Sequence, residues 1–404
     1  MKGRTRRGIL KAALGGVAAL GGGLIGRTAL AGLPAGTLDS VILETLPGKQ
    51  PLLKRSFRPP NYETPLAYFD EPITPNERFF VRWHLMDIPE IDAARWRLGV
   101  GGEGVSKPFD LTLDELKHGF EPAEVVAVCQ CAGNRRGLSD PHVPGVQWGY
   151  GAMGNARWKG ARLKDVLGRA GLKPEAAEIA FDGADRPPLD ATPDFLKSIP
   201  AWKALDENTL IAYEMNGAPL PHLNGFPVRI VVPGWTATYW MKKLISIQAL
   251  TQPLKSFWMN TAYRIPKGKF ALVDRFVSQE SDTTTPITEM VVNSLITSLV
   301  DGQRVDAGAP IVVKGLAWDG GYGVRRVEIS IDEGATWQRA SLDTSLGRFS
   351  FLPWEFAFKA TRKGPLAVMA RASNAQGSTQ PYELIFNAPG YHNNVVQKVG
   401  IDIA

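Results

Sequence analysis

Cysteine is almost absent from this 404-residue chain, which carries only Cys129 and Cys131. An extended spacing of two residues puts their Cα atoms roughly 6.5–7 Å apart, the upper edge of disulfide geometry, so neither a disulfide framework nor a bond between the two is expected. Two thiols are too few for an iron–sulfur cluster, and no Cys-x-x-Cys-His run is present to attach a haem. Long apolar runs are scarce as well. Beyond residue 31 nothing is long and apolar enough to cross a bilayer, which needs about 20 apolar residues. There is no internal repeat and no low-complexity tract. A basic surface is also lacking, although the formal net charge is +6. Lys2, Arg4, Arg6, Arg7, Lys11 and Arg27 supply that excess from residues 1–31, which hold no acid, so the remainder is near neutral and gives no argument for nucleic acid.

Those first residues read as an address. Thr5-Arg6-Arg7-Gly8-Ile9-Leu10-Lys11 is a twin-arginine pattern, followed by an Ala/Gly/Leu stretch to Ile25 and by Ala29-Leu30-Ala31, a small-residue cleavage site. A membrane anchor is the alternative. The stretch is glycine-rich and broken by Lys11, so it would span poorly, and cleavage after Ala31 with export of a folded protein to the periplasm is the expectation. About 373 residues would remain, enough for two or three domains with substantial cores, and 44% hydrophobic content is ordinary for a globular chain.

The pattern changes near residues 271–286. Upstream lie short strands, helix-like segments at 111–117 and 163–171, and many Pro- and Gly-containing loops, which together predict a mixed α+β unit. Ser278-Gln279-Glu280-Ser281-Asp282-Thr283-Thr284-Thr285-Pro286 reads as a polar linker. Downstream, strand-length apolar segments at 311–316, 324–331, 349–351 and 366–372 predict an all-β sandwich of about 120 residues. Asp332-Glu333-Gly334 is a turn. Asp319-Gly320-Gly321-Tyr322-Gly323 is read as a hairpin rather than a phosphate loop.

The chemistry concentrates in Val125-Val126-Ala127-Val128-Cys129-Gln130-Cys131-Ala132-Gly133-Asn134-Arg135-Arg136-Gly137. Small and β-branched residues predict a buried strand, and Gly and Asn break it into a loop that carries a thiol and two guanidinium groups. A thiolate is a strong donor to soft or high-valent metals, and arginine offers a planar fork to an oxyanion. An isolated strand cysteine is more often plain core. The Asn-Arg-Arg that follows favours the site.

Gln130-Cys131-Ala132-Gly133-Asn134-Arg135-Arg136 resembles the molybdenum-ligand loop of the sulfite oxidase family. The resemblance covers nearly the whole chain after residue 31, with matching segments at Thr74-Pro75-Asn76-Glu77-Arg78-Phe79-Phe80-Val81-Arg82-Trp83-His84, Ala156-Arg157-Trp158-Lys159-Gly160, Ala212-Tyr213-Glu214-Met215-Asn216-Gly217 and 224–234. It implies a molybdopterin-binding catalytic domain over 32–280, after a twin-arginine signal over 1–31. An immunoglobulin-like dimerisation domain over 281–404 would follow; a sandwich that only buttresses the first domain is the alternative.

The resemblance also assigns roles. Cys131 would bind molybdenum as a thiolate. Arg82 and Arg136 match positions around the substrate oxyanion, although an arginine's usual fate is a structural ion pair, and Arg135 is read that way. His84, two residues after Arg82, would share its face and contact the cofactor. Tyr263 corresponds to the family's active-site tyrosine, and Trp148 would wall the pocket. Arg229 and Lys242 would hold the pterin's phosphate, Asp185 its N–H groups, and Phe80, Asn224, Trp240 and Met241 would complete the cofactor contacts. Asn224 stands where vertebrate members have histidine, and Phe386-Asn387-Ala388-Pro389-Gly390-Tyr391 lacks an arginine that animal enzymes place there. The implied activity is haem-free, molybdenum-dependent oxidation of sulfite to sulfate by a periplasmic homodimer. Electrons would pass singly to an external cytochrome c, with no nucleic-acid partner and no stable membrane insertion. Rival readings are the molybdenum subunit of a sulfane dehydrogenase, a periplasmic methionine sulfoxide reductase, and a metal-free secreted binding protein.

Overall fold

The computed structural model describes residues 42–270 and 281–404. The twin-arginine segment and positions 278–280 of the linker lie outside them. Among the described residues there are four α-helices, the longest of seven residues, so sheets dominate the first unit of the α+β plan. One of its helices starts at a cap its own sequence supplies. Thr112 caps Leu113–His118 by accepting from Glu115 N–H at 3.1 Å, and the Glu115 carboxylate accepts from Thr112 N–H at 2.8 Å, a reciprocal capping box.

Two sheets frame the first unit. One runs Lys197–Pro200, Glu178–Gly183, Leu244–Leu250, Leu98–Gly101, Phe109–Leu111, with only the Leu244–Leu250 and Leu98–Gly101 pair parallel. The other runs Ala218–Pro219, Leu210–Met215, Met153–Arg162, Pro122–Gln130, and Arg229–Val231 also pairs with Leu210–Met215. The Pro122–Gln130 strand is buried from Val126 onward, as its small and β-branched residues predict, and ends in register with Cys129 opposite Gly154 and Gln130 opposite Met153. Cys131 is therefore the first residue beyond the ladder. A third ladder, Leu43–Glu44, Leu52–Ser56, Asn61–Glu63, Val81–Arg82, delivers Arg82 from the other side.

The sandwich packs Asn293–Ile296, Pro310–Trp318, Leu352–Lys359 and Ser341–Leu342 in one sheet against Gln303–Val305, Gln397–Ile403, Gly364–Asn374, Val324–Ser330 and Gln338–Arg339 in the other. Val313, Ile329, Trp354, Val368 and Ile401 fill the layer between them. Three expectations need correction. The apolar run at 349–351 precedes a strand, which begins at Leu352; Phe349 and Phe351 are instead buried against the first unit and the junction. The glycine-rich turn at 319–323 joins Pro310–Trp318 to Val324–Ser330, which lie in different sheets, so it is a crossover and not a hairpin. Within the linker, Thr284–Pro286 forms a strand on Arg264–Pro266, because its backbone finds a ladder partner in the first unit.

The junction is tight around the Cys131 loop. Trp318 Nε1 donates to Gln130 Oε1 at 2.7 Å, Val128 N–H to Phe349 O at 2.9 Å, and Arg135 to Asn293 Oδ1 at 2.9 Å and Val395 O at 2.6 Å. Among the described residues no helix is long and apolar enough to cross a membrane.

Candidate active site

The end of the Pro122–Gln130 strand opens onto a cleft at the centre of the first unit. Phe80, Arg82, His84, Cys129, Cys131, Asn224, Arg229, Trp240, Lys242 and Tyr263 line it, together with Phe195 and Thr238. Most of the residues expected from sequence thus converge from five separate segments. Arg136, Trp148, Asp185 and Met241 are near but do not line it. Trp148 is fully buried in the core behind the loop, where its carbonyl accepts from Gly137 N–H at 2.8 Å. Arg136 is buried with Nε donating to Pro389 O at 2.8 Å and Nη1 to Val146 O at 3.2 Å. Gly133, Gly145 and Gly390 press on it so closely that a Cβ at any of them would fall within 3 Å of its side chain.

The loop itself is fixed by its backbone. Cys131 N–H donates to Ala152 O and Asn134 N–H to Cys131 O, both at 2.9 Å, while Asn134 Oδ1 accepts from Ala152 N–H at 3.0 Å. Buried Glu63 holds the facing loop by accepting from Gly149 and Gly151 N–H at 2.8 Å each, balanced by Arg55 Nε at 2.8 Å. Arg135, at φ 67°, turns away into the sandwich and lies 5.2 Å from the Tyr150 ring. It is structural.

The electrostatics are one-sided. Arg82, Arg229 and Lys242 face the cleft, and no carboxylate among the described residues lines it. Burial, with Arg229 beside it, pulls the Lys242 ammonium down to about 7 even though Asp185 opposes the shift. The Arg229 guanidinium is lowered by burial and lies 5.0 Å from the Trp158 ring. It donates to Asn224 O at 3.0 Å and Trp240 O at 3.1 Å, but its buried Nε has no partner among the described residues, nor has Thr238 Oγ1. Buried cations without a counter-charge are costly. An anion entering the cleft relieves that cost.

Facing these, His84 Nε2 is hydrogen-bonded to the Tyr263 hydroxyl. Burial, then Arg82, Lys242 and Lys197, hold the imidazole well below its ordinary range, so it is neutral and engages the phenol as donor or acceptor according to its tautomer. Burial also raises the Tyr263 phenol, which stays protonated.

Five contributors were not singled out from sequence. Cys129 lines the cleft with its Sγ 3.8 Å from Arg229 Nη2, and burial raises its thiol. Its place two residues before Cys131 on one strand is a signal for a shared face. Phe195 stacks on His84 at 3.7 Å, and Tyr391 on Tyr263 at 5.5 Å. Lys197, fully buried, donates to Trp258 O at 2.7 Å. Buried Lys49 donates to Phe79 O at 3.1 Å and to Asn224 Oδ1, so the Asn224 amide braces the wall, its Nδ2 donating to Phe80 O at 3.1 Å. Nothing local in sequence marks those four, because their roles exist only once distant segments meet.

A metal held here would have to bring most of its own ligands, since no group of three His, Cys, Asp or Glu side chains among the described residues is placed to hold one. Two thiols, Cys129 and Cys131, at a basic cleft with unpartnered donors fit a metal carried by an anionic organic cofactor. The comparisons agree. The oxidoreductase molybdopterin binding domain matches residues 85–258, and the Mo-co oxidoreductase dimerisation domain matches 284–404. Mitochondrial sulfite oxidase of Rattus norvegicus is 36% identical over 373 residues, covering 88% of this chain and 67% of that protein. Sulfite oxidase of Gallus gallus is 36% identical over 349 residues, covering 83% and 74%. The solved sulfane dehydrogenase SoxCD from Paracoccus pantotrophus superposes with a TM-score of 0.73 and 25% identity over 96% of both chains. Fold and cleft together define a molybdopterin-binding oxidoreductase with a β-sandwich dimerisation domain. The chain belongs to the sulfite oxidase family.

Proposed function

We propose that this protein oxidises sulfite to sulfate in the periplasm as a homodimer, after export by the twin-arginine route, and releases electrons singly to a separate cytochrome c. In this reading residues 32–280 form the catalytic unit and 281–404 the sandwich that pairs two copies. The observation that carries it is the cleft, where Cys131 faces Arg82, Arg229 and Lys242 with no lining carboxylate among the described residues. When bound, the molybdenum cofactor would supply two-electron oxygen-transfer chemistry. Cys131 would hold the metal, and Arg229 and Lys242 the cofactor's phosphate. Phe80, Trp240 and the Asn224 brace shape the wall. Arg82 receives the substrate anion in a fork and lowers its desolvation cost. The Tyr263 hydroxyl, oriented by neutral His84, stands where a proton must be held or passed as oxygen is transferred.

A second reading, sulfane oxidation, is favoured by the similarity to SoxCD along the whole chain. Sulfoxide reduction is disfavoured by the matched dimerisation domain, and a metal-free binding role by the molybdopterin-binding match. The test is turnover of the purified protein alone with cytochrome c or ferricyanide. Sulfite-dependent reduction that needs no second subunit and fails with sulfane sulfur is the expected result. Activity only with sulfane sulfur and a haem partner would replace the reading with its rival, and rapid turnover with oxygen alone would make the protein an oxidase.

A further inference from the structure

The segment that carries no arginine, 386–391, comes from the sandwich unit but ends against the cleft. Tyr391 lies flat on Tyr263, with ring centroids 5.5 Å apart and planes 6° from parallel, an offset stack. The Arg136 guanidinium carbon lies 5.4 Å from the Tyr391 centroid. One side chain fastens both ends of the Tyr391 backbone: Asn387 Oδ1 accepts from Tyr391 N–H at 2.9 Å, and Asn387 Nδ2 donates to Tyr391 O at 2.8 Å. Gly390 has φ +63°, and a Cβ there would stand 2.6 Å from Val143 Cγ2 and 2.8 Å from Arg136 Cγ, so the approach requires glycine.

Tyr263 needs such a brace. Its φ of 59° is a left-handed conformation that a bulky L-residue keeps only where its surroundings over-determine it. Its contacts include the His84 hydrogen bond, the Ile287 N–H donated to Tyr263 O at 2.9 Å, the Lys197 Nζ 5.0 Å from its ring centroid, and the Tyr391 ring. Of these, the Tyr391 ring ties Tyr263 to the sandwich unit and to the Arg136 guanidinium.

We propose that Tyr391 is a positioning residue for this site: its ring fixes the Tyr263 phenol at the cleft and stations the Arg136 guanidinium behind it, so the sandwich unit completes the pocket. Arg136 then acts on the cleft through a ring, across a wall it does not line. The proposal rests on the oxyanion-oxidising reading above. Because Arg82 still meets the anion directly, loss of the Tyr391 ring falls on the chemical step more than on substrate binding.

The test uses holoenzyme labelled with [13Cζ]tyrosine, the Tyr263 resonance being assigned by Tyr263→Phe. Tyr391→Leu is expected to move that resonance and to lower kcat about tenfold while KM stays within about twofold, the scale of one lost aromatic contact. Tyr391→Phe, which keeps the ring, is expected to restore both. Should Tyr391→Leu not fold, Asn387→Ala unfastens the same ring from its backbone and is expected to move the resonance in the same direction. A folded Tyr391→Leu or Asn387→Ala with the Tyr263 resonance and kcat unchanged would overturn the proposal. So would a Tyr391→Phe as impaired as Tyr391→Leu. If the parent enzyme oxidises no sulfur oxyanion, the functional reading fails, and the resonance still decides the stack.

Discussion

At the scale of single residues, the cleft and the wall behind it bury cations whose nearby acids offset the burial only in part. Lys49 shows the consequence for stability. Burial pulls its ammonium to about 7, whereas in an unfolded chain it titrates near 10.4. Between those values the unfolded chain binds a proton that the folded protein has released, so this residue makes stability rise with pH across that window. Below about 7 the full cost of burying the charge is borne. The slope reaches about 1.4 kcal/mol per pH unit for one such group, and Lys242 and Lys243, lowered to about 7 and 8, add to it with the same sign. Urea unfolding from pH 7.5 to 9.5 should therefore show a steeper rise in stability for the parent than for Lys49→Met. Equal slopes would mean that Lys49 is not titrating as described. None of this was legible in the sequence, where Lys49 is one lysine among many. Cys131, Arg82, His84 and Tyr263 were legible because their neighbours match a known pattern, and the structure brings all four to one cleft.

Among the elements, the strand that presents Cys131 depends on close contacts across its sheet. Gly160, on the adjacent Met153–Arg162 strand, pairs with both Ala123 and Ala212. A Cβ there would sit 2.1 Å from Ile211 O and 2.6 Å from Ala212 Cα, and backbone cannot step aside as a side-chain tip can. Gly160→Ala should cost about 1–3 kcal/mol by forcing the Leu210–Met215 strand away. Chemical denaturation measures it, and an unchanged midpoint would show that the strands tolerate the extra carbon. Periodicity and β-branching made the Pro122–Gln130, Pro310–Trp318 and Val324–Ser330 strands readable, since each buries a continuous or alternating apolar set. They misread 349–351, where apolar residues serve the junction between units, because composition does not say which neighbour an apolar side chain meets. Pairing partners were equally invisible in the 319–323 turn and in Thr284–Pro286, since both are decided by segments distant in sequence.

In the whole molecule, the two units meet where the chemistry is. Gln130, Arg135 and Val128 of the Cys131 region bond to Trp318, Asn293, Val395 and Phe349 of the sandwich, and Asn393 Nδ2 returns a bond to Arg135 O at 3.0 Å. The Cys131 loop is therefore held from behind by the unit matched as a dimerisation domain, and its geometry should not survive separation of the two. In the function proposed above, Cys131 holds molybdenum and sulfite is oxidised there. That function is tested most directly by measuring molybdenum content and sulfite-dependent ferricyanide reduction together on purified parent and Cys131→Ser protein. The account predicts about one molybdenum per parent chain with rapid reduction, and a folded Cys131→Ser protein without turnover. Full sulfite oxidation by Cys131→Ser, or by a parent preparation free of molybdenum, would contradict it.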